Sequence, residues 1–280
     1  MLRIVTDGAV DLPVEWLEEY DIQIIPINVH FGEKTYLQYV DLDLPAFYKL
    51  VEESTAFPKT SQPSPHQFVE FYNKIAKEGD TILSIHITSK LSGTYASAVI
   101  AAEEVKGMFS VIPVDTQGGS MGTGFMCRAA RQMDRAGKSP EEIVRHIEAI
   151  RSTVQVILTL DTLEYARRSG RVGAFSAALA SILNVKPIAL LKDGVIEMVD
   201  KVRTRKVALE RVLEMAKQAY GNQPVYIAVV HARDLASGQA LMEEAKKRFN
   251  VKDAVLTDLS VSLAINFGPG TVGLVLYPAE

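Results

Sequence analysis

The sequence predicts an α/β protein in two parts. Residues 1–152 are expected to form a mostly parallel sheet with flanking helices, and residues 153–280 a mixed sheet with helices. In the first part, short runs rich in Ile and Val alternate with helical patterns, which is typical of parallel strands joined by crossover helices. In the second part, a hairpin-type turn at Lys192-Asp193-Gly194 indicates antiparallel pairing. The length of 280 residues is also close to the size at which a single apolar core stops growing and chains divide into two parts.

The elements of the first part follow from local signals. Asp11 and Asp43 are expected helix caps, and Ser64 and Ser139 each open a capping-box pattern. The predicted strands are 3–6, 22–31, 82–87 and 111–114. The predicted helices follow Asp11 and cover about 44–53, 64–78, 94–105, 121–136 and 139–151.

In the second part, apolar runs and helical periods alternate again. The predicted strands are 154–160, 186–191, 195–200, 225–230 and 254–256. The predicted helices cover about 205–220 and 235–249. The hairpin between the second and third of these strands is the reason for expecting a mixed sheet.

Composition and charge exclude several classes of function. The net charge of -4 argues against a general nucleic-acid-binding protein. The single Cys127 cannot form an internal disulfide, so a cytoplasmic location is expected. The N-terminus turns polar too early for a signal peptide, and no apolar run approaches the roughly 18 residues of a membrane span. No metal site is predicted, because the histidines are scattered: His30, His66, His86, His146 and His231.

Two hydroxyl-rich segments are the strongest indication of a ligand. Phe57–Pro65 and Leu91–Tyr95 each place Ser and Thr side chains just ahead of a predicted helix, whose first N–H groups are unpaired and attract anions. Ser64 is expected to cap its own helix. For Ser92, which precedes the permissive Gly93, ligand contact and capping are equally compatible with the sequence. The pattern predicts a carboxylate site with almost no fixed charge.

Other patterns leave alternatives open. Gly118-x-Ser120-x-Gly122 matches the nucleophile elbow of hydrolases, so a serine esterase that uses Ser120, with His231 as base, is one alternative. A small-anion-binding scaffold is another. The basic clusters Arg167–Arg171 and Arg203–Lys206 are compatible with a solvated face or with a dock for a phosphate-bearing partner.

A set of motifs, in order along nearly the whole chain, resembles the DegV family. They are Thr6-Asp7-Gly8, Thr60–Ser64, Leu91–Tyr95, Asp161–Tyr165, Gly170–Gly173, Lys186-Pro187, Arg203–Lys206 and Gly268-Pro269-Gly270. The resemblance implies a two-domain DegV-like fold that holds one long-chain fatty acid between its parts. It also implies a bacterial lipid-binding protein that is not an enzyme and uses no cofactor. Such a protein presents the acid to a separate fatty acid kinase subunit, and the product feeds phospholipid metabolism.

The family's carboxylate contacts fall on Thr60 or Ser61, on Ser92 and on the Gly93 N–H, with either of the first two able to point inward. Asn266 stands where the family usually has a histidine before its Gly-Pro-Gly motif. An amide there can donate a hydrogen bond but cannot become cationic, so acid binding is expected to survive this change more easily than kinase coupling.

The resemblance also assigns roles outside the carboxylate site. Arg171, Arg203 and Arg205 become candidate docking residues for the kinase subunit, and no residue is expected to be catalytic. The apolar helix predicted over 174–183 is compatible both with the wall of an acyl tunnel and with ordinary core.

Overall fold

The structure, a computed structural model, describes residues 1–171 and 185–279. The predicted tunnel helix over 174–183 lies outside the described residues. In the first part the elements are β1 (Leu2–Asp7), α1 (Val14–Glu19), β2 (Ile22–Ile25), β3 (Asn28–Phe31), β4 (Lys34–Leu37), α2 (Leu44–Glu53), β5 (Lys59–Ser61), α3 (Pro65–Ile75), β6 (Thr81–His86), α4 (Thr94–Glu104), β7 (Ser110–Asp115), α5 (Ser120–Arg135) and α6 (Pro140–Thr153). In the second part they are β8 (Gln155–Thr159), α7 (Glu164–Ser169), β9 (Lys186–Lys192), β10 (Val195–Val202), α8 (Arg205–Tyr220), β11 (Pro224–His231), α9 (Leu235–Arg248), β12 (Asn250–Asp258), α10 (Val261–Phe267) and β13 (Val272–Pro278).

The first part contains the predicted parallel sheet, with strand order β2-β1-β6-β7. A second, three-stranded antiparallel sheet of order β4-β3-β5 was not predicted. The strands β4 and β5 gave no sequence signal because they are short and carry polar, partly exposed residues. This small sheet matters for the site because β5 contains Thr60 and Ser61.

The second part forms the predicted mixed sheet, with order β10-β9-β8-β13-β11-β12. Only the β11–β12 pair is parallel among these neighbours. The sequence did not predict β13, although it is a central strand, nor the helix α10, which precedes it. Each is an apolar segment of only seven residues, and in segments this short periodicity separates helix from strand poorly.

The helix α5 packs between the two larger sheets, against β1 and β6 on one side and β8 and β13 on the other. It is buried from Ser120 to Arg131. The apolar cluster around it draws Ile4 and Leu83 from the first part and Val275 from the second. Both parts therefore contribute to one apolar cluster, although each also has a cluster of its own, and the boundary at 152/153, between α6 and β8, stays a prediction. No described helix combines the length and apolarity needed to cross a membrane.

The cap predictions are confirmed at three of the four positions. Asp43 accepts a hydrogen bond from the Ala46 N–H at the start of α2. Ser64 and Ser139 each form a complete capping box. These signals are reliable because a cap depends only on residues within one turn of it.

The prediction that Asp11 caps α1 is wrong. That helix starts at Val14, and its capping position is Pro13. The buried Asp11 carboxylate instead accepts hydrogen bonds from the Ser120 hydroxyl and, at 2.6 Å, from the Ser260 N–H. Burial raises the pKa of Asp11 to about 6, although both hydrogen bonds oppose this shift. Asp11 thus connects the loop after β1 to the starts of α5 and α10.

Candidate functional site

A cavity of about 540 Å³ lies at the carboxyl ends of β1 and β6, between the two parts of the chain. We call it the head cavity. Thr60, Ser61, Ser92 and Asn266, four of the five predicted carboxylate-binding residues, line it together with Arg171. These residues come from four separate segments of the chain, so the fold brings together what the sequence spaces far apart.

An apolar cavity of about 390 Å³, the tail cavity, adjoins the head cavity. The two share five apolar lining residues: Ile87, Leu91, Ile196, Leu263 and Phe267. Beyond them the tail cavity is bounded by Val156, Leu158, Ala189 and Leu191, on strands of the mixed sheet, and by Gly118–Ser120. The sequence did not indicate these walls, since apolar residues of β8 and β9 are equally compatible with solid core.

A larger and more open groove of about 1170 Å³ lies on the outside of the molecule along α5 and α6. It contains none of the predicted site residues. Its walls include the exposed Ala149 and, near the end of the central strand β13, Tyr277. Its size alone does not make it the site, because the convergent polar groups lie in the head cavity.

The register of β5 on β3 separates Thr60 from Ser61. Thr60 pairs with the buried Val29, whereas Ser61 lies on the opposite face and its hydroxyl is 2.8 Å from His30 Nε2. The Thr60 hydroxyl has no hydrogen-bond partner among the described residues. Thr60 therefore has the hydroxyl that is available to a ligand. Both residues lie ahead of the helix α3, as the sequence predicts, but they belong to the strand β5, which the sequence did not indicate.

The hydroxyl of Ser92 is available as a donor for a different reason. Its oxygen accepts a hydrogen bond from the Thr94 N–H and lies 2.8 Å from the hydroxyl of Thr94. Thr94 is fully buried, so its hydroxyl proton needs an acceptor, and Ser92 is the partner it has. The proton of Ser92 is then free to point into the head cavity. No side chain caps α4, because Gly93 occupies the capping position.

Gly93 allows another group to come close to its backbone, and in the structure that group is the side chain of Gln62. A Cβ atom at this position would lie 2.8 Å from Nε2 of Gln62. Gly93 is not among the residues that line the head cavity, whereas its neighbours Ser92 and Gln62 are. Gly93 therefore positions Gln62 at the wall of the cavity.

Asn266 lies on α10 and presents its carbonyl oxygen rather than its amide nitrogen as the unpaired group. Nδ2 donates a hydrogen bond to the Ser262 carbonyl at 2.6 Å. Oδ1 is buried and has no hydrogen-bond partner among the described residues. The sequence suggested that the Asn266 amide would donate a hydrogen bond to the ligand. In the structure, one of its two amide hydrogens is already bonded to the Ser262 carbonyl oxygen.

A buried network supports two residues of the cavity wall. His86 Nδ1 lies 3.0 Å from Asp7 Oδ2, and His86 Nε2 lies 2.6 Å from the Ser84 hydroxyl. The order Asp, His, Ser resembles a catalytic triad, but all three side chains are at most 1% exposed, so no substrate reaches the serine. Asp7 also accepts hydrogen bonds from the N–H groups of Ala9 and Ile87, which border the head cavity. The network therefore positions the floor of the site.

The esterase alternative requires a histidine beside Ser120, and the structure gives this serine another partner. The Ser120 hydroxyl, at the wall of the tail cavity, donates to Asp11. His231 Nδ1 lies 3.2 Å from Asp258, with an angle too poor for a hydrogen bond. Neither residue thus contacts the other as a nucleophile and base do.

The three candidate docking arginines are not together. Arg171 is exposed at the head cavity and donates to the Ser169 carbonyl at 2.6 Å. Arg203 is exposed and has no ion-pair partner in the described part of the chain. Arg205 is paired with Asp234 and is only 23% exposed. Arg203 and Arg205 follow the far end of β10, about 20 Å along that strand from Ile196.

Comparison with known proteins gives a consistent picture over the full chain. A family model described as "Uncharacterised protein, DegV family" matches residues 1–279. The chain is 31% identical to protein DegV of Bacillus subtilis over 275 residues, which is 98% of each chain. It is similar to a DegV family protein from Thermus thermophilus described by its fatty acid binding, with 32% identity, 99% coverage of both chains and a TM-score of 0.90. A stearic-acid-binding protein from Eubacterium ventriosum matches with 27% identity, a TM-score of 0.89 and coverage of 99% of this chain and 98% of that one. These structures are described as binding proteins, not as enzymes.

Proposed function

The chain belongs to the DegV family, and from this membership we propose that it binds one long-chain fatty acid. The head group occupies the head cavity and the acyl chain enters the tail cavity. The observation that carries the proposal is the continuity of a hydroxyl-lined cavity with an apolar one through five shared wall residues. Residues 1–152 supply the hydroxyl groups, and residues 153–280 supply most of the apolar wall.

The head group is held by neutral donors. The hydroxyls of Thr60 and Ser92 both have a proton to donate, and Ser92 precedes the 11-residue helix α4, whose N-terminus carries a partial positive charge. Such a hydrogen bond contributes about 0.5–1.5 kcal/mol with a neutral head group and about 1.5–3 kcal/mol with a charged one. Two such bonds orient the head group without making its release slow.

The acyl chain provides most of the affinity. Burial of each methylene contributes about 0.8 kcal/mol, so roughly 14 methylenes contribute on the order of 11 kcal/mol before the costs of association and ordering. The tail cavity offers an apolar surface contributed by both sheets, for example by Ile87 and Leu158. An amphiphile with one long chain matches this division between polar and apolar walls.

Denaturing mass spectrometry of the purified protein should release a C16–C18 acid. Thr60→Val should weaken retention of that acid by about 10-fold to 100-fold, because it removes one donor and keeps the shape of the side chain. Ser61→Ala is the matched control, since the Ser61 hydroxyl already contacts His30. Ser92→Ala should also weaken retention. Protein that is consistently free of lipid would refute the proposal. If only Ser61→Ala weakened retention of the acid, Ser61 rather than Thr60 would be the residue that binds the head group.

We further propose that the chain presents the bound acid to a separate fatty acid kinase subunit, in a bacterial cytoplasm, for phospholipid metabolism. Exposed cations suit a partner that carries phosphate groups. Arg171 borders the head cavity and Arg203 has no described ion-pair partner, so both are available for docking. Arg205 is the weaker candidate because Asp234 neutralises its charge.

The kinase proposal is tested with ATP and a purified kinase subunit from the same organism. Arg203→Glu should slow phosphorylation of the bound acid several-fold without changing its retention, because Arg203 does not line either cavity. Arg145→Glu makes the same change of charge at an exposed position of α6 and should have no effect. If the kinase subunit does not phosphorylate the acid bound to the wild-type protein, the kinase role is refuted. Equal rates for both variants would exclude only the docking role of Arg203.

A further inference from the structure

We infer that the head cavity selects a neutral head group that can donate a hydrogen bond, namely a protonated carboxyl or an isosteric primary amide. This inference rests on the proposed function, because it concerns the head group of the same long-chain ligand. The residue that makes the selection is Asn266, through its carbonyl oxygen.

The first observation is the unpaired acceptor on Asn266. Several buried side-chain polar atoms have no hydrogen-bond partner among the described residues, and Asn266 Oδ1 is the one whose residue lines the head or tail cavity. Other examples, such as Thr6 Oγ1 and Thr159 Oγ1, belong to residues away from both cavities. Buried acceptors in native proteins are normally paired. A donor on the ligand would complete this one.

The second observation concerns the orientation of the amide. Its Nδ2 donates to the Ser262 carbonyl oxygen at 2.6 Å, one helical turn earlier in α10. Exchanging Nδ2 and Oδ1 would place two acceptor oxygens at that distance. The hydrogen-bond partners therefore assign the orientation in which Oδ1 is left for the cavity.

The third step is a count of donors and acceptors. Thr60 and Ser92 each offer a proton to the head group, and Asn266 Oδ1 offers a lone pair. A carboxylate has only lone pairs, so it satisfies the two hydroxyls and repels Oδ1. A carboxylic acid or primary amide has a carbonyl oxygen for the hydroxyls and an O–H or N–H for Oδ1. Only the neutral head group satisfies all three.

Some charged groups around the site favour an anionic head group, and others disfavour it. The N-terminus of α4 and the guanidinium of Arg171 favour an anion, but Arg171 is exposed at the rim and is screened by water. Two buried carboxylates disfavour a further negative charge: Asp7, which accepts a hydrogen bond from the Ile87 N–H at the head cavity, and Asp11, which accepts one from Ser120 at the tail cavity. Other ionisable neighbours in the described part of the chain include His30 behind Ser61, His86 beside Asp7, Tyr39 near Asp11, and Tyr165 against the end of α10.

The test compares hexadecanoic acid with hexadecanamide by calorimetric titration of delipidated protein at pH 8. We expect the wild-type protein to bind the amide at least as tightly as the acid. Asn266→His, which replaces the acceptor by a potential cation, should shift the ratio of the two dissociation constants at least tenfold toward the acid. Asn266→Leu should weaken binding of the amide about tenfold and weaken binding of the acid less, because an acid that loses this acceptor can still bind as the carboxylate.

The outcomes separate this inference from the proposed function. Tighter binding of the acid than of the amide by the wild-type protein would overturn the inference and leave fatty acid binding intact. Binding of neither compound would overturn both. The wild-type comparison requires no substitution, so a variant that fails to fold does not remove the test, and thermal melting of each variant identifies such a failure.

Discussion

Replacing Ala189 with Phe should abolish binding of C16–C18 acids while short-chain acids still bind. Ala189 is 1% exposed and lines the tail cavity together with Ile87 and Leu91, which also line the head cavity. A phenyl ring there would extend into the tail cavity, whose volume is about 390 Å³, and obstruct the path of the acyl chain. Each excluded methylene costs about 0.8 kcal/mol, so exclusion of about six would weaken a long-chain acid by on the order of a thousandfold.

The measurement is the dissociation constant as a function of acyl chain length, from C8 to C18. Affinity should rise with length in the wild-type protein and stop rising at a shorter length in Ala189→Phe. Ala149→Phe is the matched control, since Ala149 lies in the outer groove along α6. A loss of long-chain binding in Ala149→Phe but not in Ala189→Phe would mean that the acyl chain follows the outer groove instead.

The parts of the fold that could be predicted are those determined by neighbouring residues. The limits of α2 and α8 agree with the prediction because each has a cap, at Asp43 and Thr204, and a clear helical period. The parallel sheet was predictable because its strands are buried apolar runs between helices. Ser92 follows β6, and ligands of such sheets bind beyond the carboxyl ends of the strands, so its place at the site was also predictable.

The parts that could not be predicted depend on contacts between distant segments. Thr60 and Ser61 are distinguished by the register of β5 on β3, and no local signal encodes that pairing. Asp11 has the spacing of a helix cap, but its partners lie 109 and 249 residues away. The unpaired oxygen of Asn266 likewise depends on which groups surround α10 once both parts of the chain have packed.

The Gly268-Pro269-Gly270 motif ends α10, and its first glycine has a conformation that other residues hardly adopt. Gly268 has φ 82 and ψ 166, in a region of the backbone map that is nearly exclusive to glycine. A Cβ atom there would lie 2.5 Å from Cδ2 of Tyr165, on α7. The motif and the segment Asp161–Tyr165 therefore depend on each other, because α7 packs directly against the end of α10.

Gly268→Ala should consequently lower the free energy of unfolding by about 3–5 kcal/mol. Of this, about 1–3 kcal/mol comes from backbone strain and the rest from displacement of the Tyr165 ring. The measurement is denaturant unfolding of delipidated protein. Gly137→Ala is the matched control: Gly137 also has positive φ, at 76, but a Cβ atom there would meet nothing within 4 Å, so only strain remains. Equal losses in the two variants would show that contact with Tyr165 contributes nothing. A larger loss for Gly268→Ala that Tyr165→Ala partly restores would locate the excess in the contact that anchors α10, and with it Asn266, beside the head cavity.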